Sequence, residues 1–214
     1  MEKLYGYPHT PLHWDDIDHV VFDIGNVLLS FDPRRMLKSL FPGQDALQNF
    51  LLHKVFLSPC WVMLDRSVLT REEIVSRMAA GDEAHLQDIH RAVFDWVDLH
   101  LEIPEGVAAM KACREHGKKT YLLTNYNKDA FLETQEKFPF LSQVDGLLVS
   151  GREHILKPSL EIYDRLTRRY DLNPARTLFI DDSAGNIEGA LAYGWNGFCY
   201  QHPGSLNALI EHSI

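Results

Sequence analysis

The sequence predicts an α/β fold, a parallel sheet with helices on both faces and one helical insertion. Three observations carry this reading. Five short apolar runs are punctuated by Gly, Asn, Asp or Ser at their ends. Segments with helical spacing alternate with them. The alternation breaks once, over residues 34–100, where every pattern is helical. Strands that alternate with helices imply crossover connections, and crossovers make neighbouring strands parallel.

The first strand is "HVVFDI" (19–24), apolar except at its ends, with Asp23 near its carboxyl end and Gly25-Asn26 where the chain must turn. The insertion follows. "DALQNFLLHKVF" and "EAHLQDIHRAVFDWV" read as helices, and "TREE" (70–73) is a capping box with Thr70 as N-cap and Glu73 three residues on. A crossover of this length is unusual for one βα unit, so residues 34–100 are expected to form a separate cap. "PEGVAAMKACREHG" (104–117) starts on Pro and stops on Gly, as a helix should. "TYLLT" (120–124) and "GLLVS" (146–150) are the next strands. "KPSLEIYDRLTRRY" (157–170) places Leu160, Tyr163 and Leu166 at helical spacing. "TLFID" (177–181), the helix "SAGNIEGALAYG" (183–194) and the strand "GFCY" (197–200) complete the series. The expected division is a core of residues 1–33 and 101–214, with 1–17 as an N-terminal extension, and a cap of residues 34–100.

Composition narrows the function. With 214 residues, 45% of them apolar, the chain is expected to be globular. A formal net charge of -9 argues against nucleic acid or an anionic membrane as partner. It also means that an anionic substrate needs local positive charge. Cys60, Cys113 and Cys199 are scattered and odd in number, which favours a reducing compartment. His9 and His13 in "HTPLH" lack a zinc-type partner set and read as surface residues. With no signal-peptide h-region and no spanning run, the expectation is a soluble, cytoplasmic protein. The sequence is silent on oligomeric state.

In an open parallel sheet, ligands bind outside the carboxyl ends of the strands. There the sequence places Asp23, then Thr124-Asn125, then Lys157 in the loop after the third strand, then Asp181-Asp182. Each has an ordinary reading as a turn, a solvated lysine or a helix cap. Their convergence on one sheet edge favours a phosphate ester bound with a divalent cation. Mg²⁺ takes hard oxygen ligands, and Asp23, Asp182 and Asp181 supply carboxylates whose mutual repulsion a cation relieves. Asp23 is placed to attack phosphorus. The Thr124 hydroxyl and Asn125 N–H are placed to hold phosphoryl oxygens, and Lys157 to offset charge.

"FDIGNVL", "LLTN", "LKP" and "FIDDSAGNIEGA" resemble the four motifs of the haloacid dehalogenase-like superfamily, in the order and context of its small capped phosphatases. The resemblance implies a Rossmann-like core, Mg²⁺ and an aspartyl-phosphate. It makes Asp23 the nucleophile, Thr124 the phosphate-binding hydroxyl, Lys157 the stabilising lysine, and Asp182 with Asp181 the metal-binding acids. One position departs. The family's phosphatases usually carry an Asp two residues after the nucleophile, as general acid and base. Here it is Gly25, whose carbonyl can still serve the metal but which has no proton to give. The "DxGNV" form is familiar in a branch resembling sugar-phosphate phosphatases. Without that acid, aryl and anomeric phosphates are expected to turn over faster than primary-alcohol phosphates. The second half-reaction needs a base, for which His53 or an acid of the cap is a candidate. Tyr126, Asn127, Lys128, Trp61, Asp65 and Arg66 are candidates for choosing the substrate. The rival readings are a 2-haloacid dehalogenase, against which Asp181-Asp182 argues; a receiver domain, which places its acidic pair near the first strand; and a catalytically weak phosphate-binding regulator.

Overall fold

The computed structural model describes residues 5–6, 10–11, 13–201 and 203–206. Its strands are β1 (Tyr5–Gly6), β2 (Thr10–Pro11), β3 (His19–Phe22), β4 (Lys119–Thr124), β5 (Gly146–Val149), β6 (Thr177–Asp181) and β7 (Asn196–Cys199). They form one sheet in the order β2-β1-β7-β6-β3-β4-β5. The five strands from β3 to β7 are parallel to one another. β3 is central, with His19 opposite both Lys119 and Thr177. The N-terminal extension adds what the sequence did not announce: β1 and β2 pair antiparallel, and β1 lies antiparallel on the edge strand β7. His9 lies outside the described residues, and His13 is exposed.

Alternation along the strands sends side chains to two apolar layers. Val20, Phe22, Leu122 and Ile180 bury on one face. Val21, Leu123 and Phe179 bury on the other, against Ile162, Tyr163 and Leu166 of one helix and Ile187, Ala190 and Leu191 of another. Phe22 and Phe179 are fully buried. Each such side chain contributes on the order of 2 kcal/mol by transfer from water.

Between β3 and Pro104 come five α-helices and no strand among the described residues: α1 (Pro33–Leu40), α2 (Asp45–Leu51), α3 (Pro59–Asp65), α4 (Arg71–Ala79) and α5 (Leu86–Phe94). Asp32 caps α1 by accepting from the Arg34 and Arg35 N–H groups. The Thr70–Glu73 capping box opens α4 with both reciprocal bonds made. α2 runs on into a π-helical turn over Leu52–Phe56. The chain enters and leaves this helical segment at adjacent points. Leu29 bridges Glu102, and Ser30 N donates to Leu101 O at 2.8 Å.

The core resumes with α6 (Pro104–Glu115), α7 (Lys128–Lys137), α8 (Ser150–Glu153), α9 (Leu160–Tyr170) and α10 (Ala184–Tyr193). Gly106 of α6 packs on the turn after β3, where a Cβ would stand 1.8 Å from Val27 O. No helix among the described residues is long and apolar enough to cross a membrane.

Candidate active site

The strand ends meet at Lys157. Its loop is held by a reciprocal pair: Asn125 Nδ2 donates to Lys157 O at 3.1 Å, and Lys157 N donates to Asn125 Oδ1 at 2.9 Å. Lys157 is 4% exposed. Its ammonium lies 2.9 Å from Asp23 Oδ1 and donates to Asp181 Oδ2 at 2.6 Å and Leu123 O at 3.0 Å. Three donors have three acceptors, one at the end of each of β3, β6 and β4.

Asp23 follows β3 directly, and its N–H still bonds Ile180 O at 2.9 Å. Its Oδ1 also accepts from Ile24 N at 2.7 Å. Asp181 is fully buried and saturated. Ser183 N donates to its Oδ1 at 2.8 Å, and Asn186 Nδ2 reaches both its oxygens at 3.0 and 3.1 Å. Asp182 faces the cavity instead, and its Oδ2 accepts from Asn26 Nδ2 at 3.0 Å. Asn26 has φ +52°, a left-handed conformation that asparagine tolerates, and its Oδ1 accepts from Phe31 N at 2.8 Å.

Asp23, Asp181 and Asp182 each present an oxygen within 4.8 Å of the others. Three carboxylates share one ammonium. Burial pushes Asp23 up to about 7 against the pull of Lys157, with Asp181 and Asp182 adding to the rise. Burial likewise raises Asp182, opposed by the Asn26 hydrogen bond. Burial disfavours charge on Lys157, but Asp181 and Asp23 outweigh it and hold its pKa above the ordinary value. An excess of negative charge on hard oxygens is what a divalent cation relieves.

Above this cluster is a cavity of about 200 Å³. Asp23, Gly25, Asn26, Thr124, Asn125 and Asp182 line its floor. The Thr124 hydroxyl bonds no described residue. Phe31, Trp61, Asp65, Trp96, His100 and Tyr126 line the opposite wall. The rings pack on one another: Trp61–Trp96 centroids are 5.4 Å apart, Phe31–Trp96 5.5 Å and Trp96–Tyr126 5.3 Å. Tyr126 Oη is 2.8 Å from both His100 Nε2 and Thr134 Oγ1. His100 Nδ1 lies 2.7 Å from Ser30 O, so it carries the proton and Nε2 accepts from Tyr126. Burial lowers the His100 pKa and keeps the ring neutral. The Asp65 carboxyl accepts no hydrogen bond from a described residue, although its backbone carbonyl accepts from Ser150 Oγ at 2.7 Å. Burial, aided by Asp23, holds that carboxyl well above the usual range.

Thus the structure gathers Asp23, Gly25, Thr124, Asn125, Lys157, Asp181 and Asp182, together with Trp61, Asp65 and Tyr126. Arg66, Lys128 and His53 are exposed and do not line the cavity. Asn127 serves structure, capping α7 and donating to Leu64 O at 3.1 Å. Sequence reasoning missed Asn26 and Asn186. Asn186 had a signal, since it falls on the first turn of the helix that follows the acidic pair. It also missed the aromatic wall, drawn from segments far apart in the chain.

Known proteins resemble this chain. The chain is 22% identical over 177 residues to a sesquiterpene phosphatase of Aspergillus oryzae, covering 83% of this chain and 86% of that protein. It is 23% identical over 190 residues to the D-ribitol-5-phosphate phosphatase of Bacteroides thetaiotaomicron, covering 85% and 91%. Among solved structures, a HAD family enzyme of Bacteroides thetaiotaomicron in complex with magnesium and inorganic phosphate superposes with a TM-score of 0.69 at 21% identity, over 89% of this chain and 98% of that one. L-2-haloacid dehalogenase from Xanthobacter autotrophicus superposes with a TM-score of 0.60 at 17% identity, over 85% and 76%. These likenesses show the fold. The family model for haloacid dehalogenase-like hydrolases matches residues 17–194, and the chain belongs to that family of enzymes.

Proposed function

We propose that this enzyme is a Mg²⁺-dependent phosphatase that hydrolyses a small phosphate monoester through an aspartyl-phosphate on Asp23. The observation that carries the reading is the Lys157 bridge between Asp23 and Asp181, beneath a cavity that also presents Asp182, Gly25 and Thr124. Asp23, Asp182 and the Gly25 carbonyl would hold the ion, with Asp181 behind them. Bound there, Mg²⁺ supplies positive charge to the phosphoryl oxygens. Asp181 accepts four hydrogen bonds, so its first task is to fix Lys157.

Asp23 attacks phosphorus as its carboxylate. The P–O bond to the alcohol breaks, and an acyl phosphate forms on Asp23. Lys157 offsets charge on the nucleophile, and Thr124 donates its hydroxyl to a phosphoryl oxygen. Water then cleaves the acyl phosphate, releasing phosphate and restoring Asp23. The departing alkoxide needs a proton that Gly25 does not carry. Asp65 is the carboxyl on the opposite wall. Residues 34–100 act as a cap whose closure excludes water from this exchange.

The names of the two curated relatives support the phosphatase reading. The dehalogenase reading is weaker. A 2-haloacid brings its own carboxylate, and no lysine or arginine lines the cavity to receive it. The test is release of inorganic phosphate from a broad panel of esters, with and without Mg²⁺, by wild type and Asp23→Asn. The expected result is Mg²⁺-dependent release that the variant loses while keeping its circular dichroism spectrum. Near wild-type turnover in Asp23→Asn removes it as nucleophile.

A further inference from the structure

The cavity has a polar floor and an apolar wall, and the two halves make different demands. The floor is furnished for phosphate. The wall is Phe31, Trp61 and Trp96, closed by Tyr126 and His100. The heteroatoms of this wall are mostly committed. Tyr126 Oη is shared between His100 and Thr134, and His100 uses both ring nitrogens, on Tyr126 and Ser30. A sugar or polyol that entered here would leave several hydroxyls facing ring carbons, stripped of water and without partners. Each unpaired buried hydroxyl is costly.

Few polar groups on the wall remain unspent. The indole N–H of Trp96 has no acceptor but is sealed from the cavity, out of a ligand's reach. The Asp65 carboxyl accepts nothing from a described residue. One acid suits a single ester or hydroxyl oxygen near the phosphate, not a ring of hydroxyls. No lysine or arginine lines the cavity, so a second anionic group on the substrate meets no cationic side chain at the wall. The volume, about 200 Å³, lies below the roughly 300–1,000 Å³ of sites for drug-sized ligands. After phosphate and ion take the floor, room remains for one ring or a short branched chain.

Resting on the phosphatase reading, we infer that the alcohol half of the substrate is compact, uncharged and apolar, an aryl, benzylic or short alkenyl alcohol, held against Phe31, Trp61 and Trp96. The consequence is a preference set by the wall and separable from leaving-group chemistry.

The decisive comparison is between two primary-alcohol phosphates, benzyl phosphate and glucose 6-phosphate, on wild-type protein with saturating Mg²⁺. Ribitol 5-phosphate and phosphoglycolate extend the polar and dianionic arms. Burial of one ring against the wall favours benzyl phosphate in kcat/KM on the order of 10–100-fold. Trp61→Leu should shrink the ratio between the two substrates. Quenching of tryptophan fluorescence by benzyl phosphate in Asp23→Asn gives an independent readout of binding at the wall. Equal kcat/KM for the two, or a preference for glucose 6-phosphate, ribitol 5-phosphate or phosphoglycolate, overturns the inference and leaves the phosphatase reading standing. No phosphate release from any ester, p-nitrophenyl phosphate included, overturns both.

Discussion

Position 25 offers the sharpest test of the chemistry. Gly25→Asp places a carboxyl where the family's phosphatases usually keep an acid. The structure accommodates it: a Cβ there meets no atom within 4 Å, and Gly25 lines the cavity and is not among the glycines with a left-handed φ. The new group faces Asp23, Asp65 and Asp182, so like charges raise its pKa toward the range in which a donor works at neutral pH. General acid assistance is worth roughly 10²–10⁴-fold when well placed. A substituted side chain without its supporting hydrogen bonds recovers part of this, about 10–100-fold, or about 1.4–2.7 kcal/mol of barrier. The gain falls on poor leaving groups. The assay is single-turnover phosphorylation across p-nitrophenyl, phenyl and benzyl phosphates. Wild type should slow steeply along the series, and Gly25→Asp should flatten it by accelerating benzyl phosphate and leaving p-nitrophenyl phosphate within about threefold. A flat series in wild type refutes the reasoning, because a proton is then already supplied. Asp65→Asn would identify the source by making the series steep.

The two aspartates of the pair should separate. Asp182→Asn should raise the Mg²⁺ concentration for half-maximal activity by about tenfold or more. Asp181→Asn should lower kcat and stability through Lys157, read by activity and urea midpoint, and an unchanged Mg²⁺ titration in Asp182→Asn would remove it from the ion. Hydrogen exchange with vanadate or beryllofluoride bound should show new protection near Asp32–Arg35 and Leu99–Pro104, where Arg35 Nη2 donates to Leu99 O at 2.7 Å; identical exchange in both states would count against closure. Gly106→Ala forces a methyl against Val27 O and should destabilise by about 1–3 kcal/mol, a fall in Tm of roughly 2–4 °C for each kcal/mol; an unchanged melting curve would show that α6 shifts freely.

The five parallel strands were legible because each apolar run stops at a polar residue, and three of those stops, Asp23, Thr124 and Asp181, meet in the candidate site at the sheet's carboxyl edge. The "TREE" cap was legible because its two bonds are local. The N-terminal pair β1–β2 was not. Its strands are two residues each, one contains Pro11, and their pairing depends on the edge of β7, about 190 residues away in the chain. The residues of the acidic cluster could be named in advance, but not their division of labour. Asp181 and Asp182 are adjacent in sequence and alternate across the end of β6, so one turns to Lys157 and Asn186 and the other to the cavity. The aromatic wall is a tertiary product: Phe31, Trp61, Trp96 and Tyr126 share no local pattern.

The adjacent crossings at Leu29–Glu102 and Ser30–Leu101 bear on how such a chain is inherited. The core surrenders its backbone at one point and recovers it beside that point, so a spliced segment leaves every strand neighbour in place. The entropic penalty of a longer splice grows slowly, about 0.6 kcal/mol for each doubling of loop length. If residues 34–100 are a separate cap, as proposed, the core is a socket. Such a socket would let the inserted module be exchanged without relearning the fold, and an engineer can test this by joining Ser30 to Leu101 through a two-residue Asn-Gly turn, which suits strands this close. What the socket then catalyses would depend on what is plugged into it.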